Sequence, residues 1–302
     1  KDSSKIINKC LKSSWVSTDG NLVKIFENKI SNFTGAKYTV ACNSGTAALQ
    51  VSIRLAGVGK GDEVIVPTLT FAATVNAIIY NNAAPIFMDC DEYYNIDINK
   101  TIKFLKLNTF FKNGFTFNKK TEKKIKAIIP VHVWGNAVKL EKLQTLCKRK
   151  NIKIIEDASE ALGTFLKSNK GKVHVGLNSL AGCLSFNANK IITSGGGGAI
   201  ITNNREVAQK AYYLTTQAKE KSIEYIHKDV GYNFRLTNLA AALGISQVNQ
   251  IIKKLKIKKK LYKKYYEKKS KIEGLNLAKV PDYSENNHWM NLLQINKKKY
   301  YL

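Results

Sequence analysis

The chain has 302 residues, 44% of them apolar and 10% aromatic, enough to bury a substantial core in one large domain or two smaller ones. No 18-residue stretch is free of polar residues, so no membrane-spanning helix is expected; the opening "KDSSKIINKCLKSSW" has no apolar run of signal-peptide length, although a chain beginning with Lys rather than Met can have lost its true start. The formal charge is +27, yet only Arg54, Arg149, Arg205 and Arg235 are arginines, and the lysine runs at 119–126 and 253–271 lack Gly-rich or aromatic-stacking patterns. They read as solvated surface rather than a specific nucleic-acid face.

From residue 36 to 202, short β-branched runs alternate with helical patterns, which predicts an α/β fold, a mainly parallel sheet with helices on both faces. The predicted strands are "YTVAC", "EVIVP", "APIFMD", "KAIIPVHVW", "IKIIED", "AGCLSF" and "GAIIT"; several are apolar throughout, as buried parallel strands are. Between them, helices are predicted over 45–56, 71–82 and 139–150. After "GYNFRLTN" (231–238) the pattern predicts a long helix to about 272, followed by a strand-like run, "NHWMNLLQI". The expected division is a large domain over 1–237 and, over 238–302, a linking helix with the start of a smaller, incomplete C-terminal domain. Cys10, Cys42, Cys90, Cys147 and Cys183 are odd in number and contain no C-x-x-C pair. A metal site or disulfide framework is not expected, and a cytoplasmic setting fits.

In an open α/β sheet ligands gather at the carboxyl ends of the strands. After "YTVAC" come Asn43, Ser44, Gly45 and Thr46 and then an Ala-rich helix, a start suited to a phosphate although a plain N-cap would look similar. After "IKIIE" comes Asp157, readable either as an N-cap or as a buried carboxylate. Just past "AGCLSF" comes Lys190, ahead of Gly195–Gly198. That order is the reverse of a phosphate-binding P-loop, whose glycines precede its lysine. A phosphate nest, an acid and a lysine are the three parts pyridoxal 5′-phosphate needs: an amine for its aldehyde, a carboxylate for its pyridine nitrogen and donors for its phosphate.

The ordered motifs "NSGTAAL", "GDEVIVPTLTFAATVNAI", "PVHVWG", "IEDASEALGT", "SFNANKIITSGGGGAI" and "GYNFRLTNLAAALG" resemble the DegT/StrS-type sugar-nucleotide aminotransferases, of the aspartate-aminotransferase (type I) fold, over nearly the whole chain. The resemblance implies Lys190 as the cofactor-bonding lysine and Asp157 as the pyridinium partner. Ser44, Gly45, Thr46 and Ser185 match the family's phosphate-binding positions, and Phe71 matches the aromatic that stacks on the ring. Asn233 matches the residue that reaches the neighbouring subunit's cofactor, which implies a homodimer with shared sites. Arg235 is a candidate for anion contact across that interface, with a structural role as the alternative, and His132, at a strand end, is a candidate border of the sugar, with a packed histidine satisfied by backbone as the alternative. Glu160 stands where many relatives place Gln beside the cofactor's phenolic oxygen, and there it must be protonated or turned elsewhere. Gly196 stands where many have Glu.

With "WVSTDG", "LTTQAK" and "NHWMN", these departures look most like the branch that aminates UDP-linked, N-acetylated 4-keto-6-deoxy sugars on the bacillosamine and legionaminic acid routes, with glutamate the expected amino donor. A GDP-perosamine-type 4-aminotransferase is the alternative. From another class, a non-catalytic lysine-rich binding protein on the same fold is weighed against the presence of both Lys190 and Asp157.

Overall fold

The computed structural model describes residues 2–169, 171–220, 222–269 and 272–296. The seven apolar runs all enter one sheet: β1 (Tyr38–Cys42), β2 (Glu63–Pro67), β3 (Ala84–Met88), β4 (Ile125–Ile128), β5 (Lys153–Asp157), β6 (Ala181–Ser185) and β7 (Gly198–Thr202), in the order β1-β7-β6-β5-β4-β2-β3. The pairs β6–β5, β5–β4, β4–β2 and β2–β3 are parallel, whereas β7 runs antiparallel to both β1 and β6. The cause is local. The link 186–197 holds no helix, and without a crossover the chain can return beside β6 only in the opposite direction.

The helices are α1 (Asp2–Lys12), α2 (Asn21–Thr34), α3 (Gly45–Leu55), α4 (Ala72–Tyr80), α5 (Ile98–Leu107), α6 (Glu141–Arg149), α7 (Arg205–Thr215), α8 (Asn238–Val248) and α9 (Ile251–Lys269). Alternation along the strands divides the core. Ala41, Leu184, Ala199 and Ile201 face a cluster with Phe26 and Ile30 of α2 and Ile245 of α8, while Val40, Cys183 and Ile200 face α3 and α7 on the other side. Covering both faces removes the whole of β2 and β7 from water, which is why Val64–Val66 and Ala199–Ile201 are apolar at successive positions. No described helix is long and apolar enough to cross a membrane.

Three sequence expectations are corrected. The long helical pattern after residue 236 is two helices, broken at Asn249 and Gln250. The regular strand in "KAIIPVHVW" ends at Ile128: Pro130 has no N–H to give a ladder, an isolated bridge pairs Val131 with Asp157, and a 3-10 turn follows at Val133–Gly135 with Trp134 at φ 54°. "NHWMNLLQI" is strand only at Leu293–Ile295, paired with Leu275–Leu277. A hairpin of Thr109–Lys112 and Phe115–Asn118 was not anticipated. Its two turn residues, Asn113 and Gly114, have φ of 49° and 78°, the left-handed pair that an Asn-Gly loop favours.

Candidate active site

The carboxyl ends of β1, β5 and β6 open on a cavity of about 280 Å³, lined among others by Ser44, Thr46, Phe71, Asp157, Glu160 and Lys190. Ser44 caps α3 by accepting the Ala47 N–H at 3.0 Å. The first intrahelical bond runs from Ala48 N to Ser44 O, so the N–H groups of Gly45 and Thr46 lie ahead of it at the positive end of the helix. Close approach requires glycine at two positions here. A Cβ on Gly45 would lie 2.9 Å from Ser185 Cβ, and one on Gly198 would lie 2.4 Å from the Ser44 carbonyl oxygen.

Asp157 is 4% exposed. The Thr74 hydroxyl donates to its Oδ2 at 2.7 Å and the Ser159 N–H to its Oδ1 at 3.1 Å, which fixes the carboxylate plane. Lys190 Nζ lies 4.0 Å from the centre of the Trp289 ring and 3.6 Å from Glu160 Oε1. Glu160 Oε2 accepts the Trp134 N–H at 2.7 Å. Burial pushes the Glu160 carboxyl above the usual carboxylate range, and the Asp157 charge adds to this; the Trp134 N–H and the Lys190 charge offset part of it. Phe71, at the start of α4, is 75% exposed and stands at the mouth.

Not every candidate from the sequence reaches the cavity. Arg235 is corrected: it is 9% exposed and consumed internally, its Nη1 donating to Glu27 Oε1 at 2.8 Å and to Ala41 O at 3.1 Å, with its guanidinium 4.9 Å from the Tyr212 ring centre. His132 is likewise corrected from a sugar border to a packed residue, fully buried. Its Nδ1 accepts the Val138 N–H at 3.0 Å, which leaves the proton on Nε2 to bond Glu156 Oε2 at 2.9 Å. Burial raises the Glu156 carboxyl, but the His132 bond and the Gly176 N–H outweigh it and hold the group below its ordinary value. Asn233 is exposed and does not line the cavity of its own chain; its carbonyl accepts from Asn43 Nδ2 at 3.4 Å. Gly196 lines the cavity with open space where a side chain would be.

Thr74, Trp134 and Trp289 escaped the sequence reading. Thr74 had a usable signal, lying one helical turn beyond Phe71. Trp289 had none, because it arrives from the far end of the chain. A larger open cavity of about 650 Å³ lies between α2, β1 and α7 and brings none of these motif residues together.

The donor set fits pyridoxal 5′-phosphate. A dianionic phosphate needs several donors where no side chain intrudes, as at the start of α3 with the Ser44, Thr46 and Ser185 hydroxyls; a protonated pyridine nitrogen needs a buried carboxylate held in one plane, as Asp157 is. Lys190 shares the same cavity.

A helix-flanked, mainly parallel sheet carrying these groups at its strand ends defines a pyridoxal-phosphate enzyme of the type I fold. The sequence profile of the DegT/DnrJ/EryC1/StrS aminotransferase family matches residues 1–300, and the chain belongs to that family, whose cofactor is pyridoxal 5′-phosphate. It is 31% identical over 291 residues to EpsN of Bacillus subtilis (strain 168), which bears the name of a pyridoxal phosphate-dependent aminotransferase, covering 96% of this chain and 71% of EpsN. It is 36% identical over 244 residues to the GDP-perosamine synthase of Escherichia coli O157:H7, covering 81% of this chain and 62% of that protein. A DegT DnrJ EryC1 StrS aminotransferase from Brucella abortus superposes with a TM-score of 0.89 at 25% identity, over 99% of this chain and 76% of that one. The chain thus spans about two thirds of the length of the curated relatives it matches.

Proposed function

We propose that the whole protein transfers an amino group to the keto carbon of a nucleotide-linked 4-keto-6-deoxy sugar, with glutamate as donor, and that Lys190 and Asp157 are its catalytic pair. The observation that carries this reading is the Asp157 carboxylate, buried and oriented by Thr74 and Ser159 in the cavity that also holds Lys190. Bound there, pyridoxal 5′-phosphate supplies the electron sink for the transfer. Asp157 would hold the proton on the ring nitrogen. The Gly45 and Thr46 N–H groups and the Ser44, Thr46 and Ser185 hydroxyls would hold the phosphate, and Glu160 and Phe71, which line the same cavity, would bind the ring and exclude water. Lys190 Nζ would hold the cofactor and move the proton at the sugar's C4. Asn233, exposed and outside its own chain's cavity, serves the partner's phosphate in a homodimer. Residues 1–237 form the cofactor-binding unit in this reading.

The motif resemblance supports a UDP-linked, N-acetylated sugar. A second reading, a GDP-linked sugar, is favoured by the identity to a GDP-perosamine synthase. The test is the full-length protein with glutamate against UDP- and GDP-linked 4-keto sugars, following the 2-oxoglutarate and amino sugar formed. Turnover of one nucleotide series is the expected result; none with either, in protein that carries cofactor on Lys190, refutes the substrate class.

A further inference from the structure

We propose that Glu160 is the proton acceptor that frees the Lys190 amine for the cofactor aldehyde, and that Trp289 is a positioning residue holding Nζ toward it. The inference rests on the reading of Lys190 as the cofactor lysine. An ammonium has no lone pair, so the amine must lose a proton before it can attack a carbonyl carbon. Nζ has a carboxylate oxygen at 3.6 Å and an aromatic face at 4.0 Å, with the Lys190 and Glu160 side chains only 14% and 15% exposed. An amine that must shed a proton in so enclosed a place needs an acceptor beside it.

Two carboxylates border the cavity. Asp157 has one oxygen on the Thr74 hydroxyl and the other on the Ser159 N–H. Glu160 has Oε2 on the Trp134 N–H and Oε1 toward Nζ. The groups facing Glu160 are Lys190, Asp157 and the Trp134 N–H; burial and the Asp157 charge make its carboxylate a stronger base than an exposed one. In the transfer an N–H bond of Lys190 breaks, an O–H bond forms on Oε1, and two buried charges become a neutral amine beside a neutral carboxyl. At 3.6 Å the pair is beyond direct hydrogen-bond range, so a turn of the lysine's end torsion or one water closes the gap.

One short segment holds both partners in place. Asn287 Nδ2 donates to the Glu160 carbonyl at 2.8 Å, and its Oδ1 accepts the Trp289 N–H at 3.0 Å. The Trp289 indole in turn donates to the Asn189 carbonyl at 2.7 Å, one residue from Lys190.

The experiment follows attachment of pyridoxal 5′-phosphate to the full-length protein freed of cofactor, as the rate of borohydride-stable label on Lys190 between pH 6 and 10. Glu160→Gln should load about 10²-fold more slowly near pH 7, with the deficit closing as pH rises and solvent takes the proton instead. Glu160→Asp, which keeps a carboxylate, should recover part of the rate at neutral pH. Trp289→Leu should slow loading at every pH, and Trp289→Phe should restore it. A Glu160→Gln profile parallel to wild type, or a Glu160→Asp variant no faster than Glu160→Gln, overturns the proton role; wild-type loading in Trp289→Leu overturns the positioning role. Wild-type protein that takes no label on Lys190 overturns the lysine assignment itself, a distinct outcome.

Discussion

Replacing Gly198 with alanine puts a methyl carbon 2.4 Å from the Ser44 carbonyl oxygen and 2.6 Å from the Gly45 nitrogen. Both are backbone atoms of the turn that starts α3, so neither can swing aside as a flexible side chain would. Restoring an ordinary contact requires a shift of about 1 Å. Overpacking of this kind costs roughly 1–3 kcal/mol, a melting temperature about 1.5–5 °C lower at about 2.1 cal/mol/K per residue for a chain of this size. The same shift displaces the Gly45 and Thr46 N–H groups from a bound phosphate. Losing one charge-assisted hydrogen bond costs about 1.5–3 kcal/mol, or roughly ten- to hundredfold in affinity. Gly196→Ala is the control: two residues away, its Cβ meets nothing within 4 Å, so it should melt within about 1 kcal/mol of wild type. The assay is calorimetric melting together with equilibrium titration of pyridoxal 5′-phosphate into stripped full-length protein. If the two variants melt and bind alike, the tight approach of β7 to the α3 turn is not what shapes the phosphate site.

Asp157→Asn should lower turnover by about 10³-fold, and Thr74→Val, which removes the 2.7 Å donor to that carboxylate along with its 2.8 Å bond to the Thr70 hydroxyl, by roughly tenfold; steady-state kinetics that rank them the other way would place the ring's proton elsewhere. Arg235→Ala should destabilise by about 3 kcal/mol in denaturant melts, because it leaves the Glu27 carboxylate without its counter-charge and with only the Ala41 N–H, while leaving the sugar KM unchanged. Burial holds the His174 imidazole at about 4 while the unfolded chain protonates near 6.5, so stability complete above pH 6.5 is lost as pH falls toward 4, by up to about 1.4 kcal/mol per pH unit. His288, also held at about 4 by burial, adds a similar share, and His174→Gln should remove the His174 share from the pH dependence of melting. In a mixed full-length dimer of Lys190→Ala with Asn233→Ala, shared sites should put both lesions in one site, leaving about half the wild-type activity with wild-type cofactor affinity. Asn233→Ala affinity at the working site would refute the sharing.

All seven strands were legible as apolar runs, and Ser44, Asp157 and Lys190 as residues at or just past strand ends, because alternation and strand-end spacing are properties of a few consecutive residues; Ser185 was legible only through the family resemblance. The site residues that were corrected depended on contacts between distant parts of the chain. Arg235 looks free in "GYNFRLTN", yet the fold turns it onto Glu27, 208 residues earlier, once β1 and α2 pack together. His132 reads as a strand-end ligand until Glu156, on the neighbouring strand, claims its ring. Trp289 reaches Asn189 across 100 residues and covers Lys190 only because Asn287 is tied to the Glu160 and Leu162 carbonyls. The sequence alone determined which residues could bind and react. Tertiary packing decided which of them stay available, since a charged or polar side chain removed from water must take whatever partner the fold brings within hydrogen-bond reach.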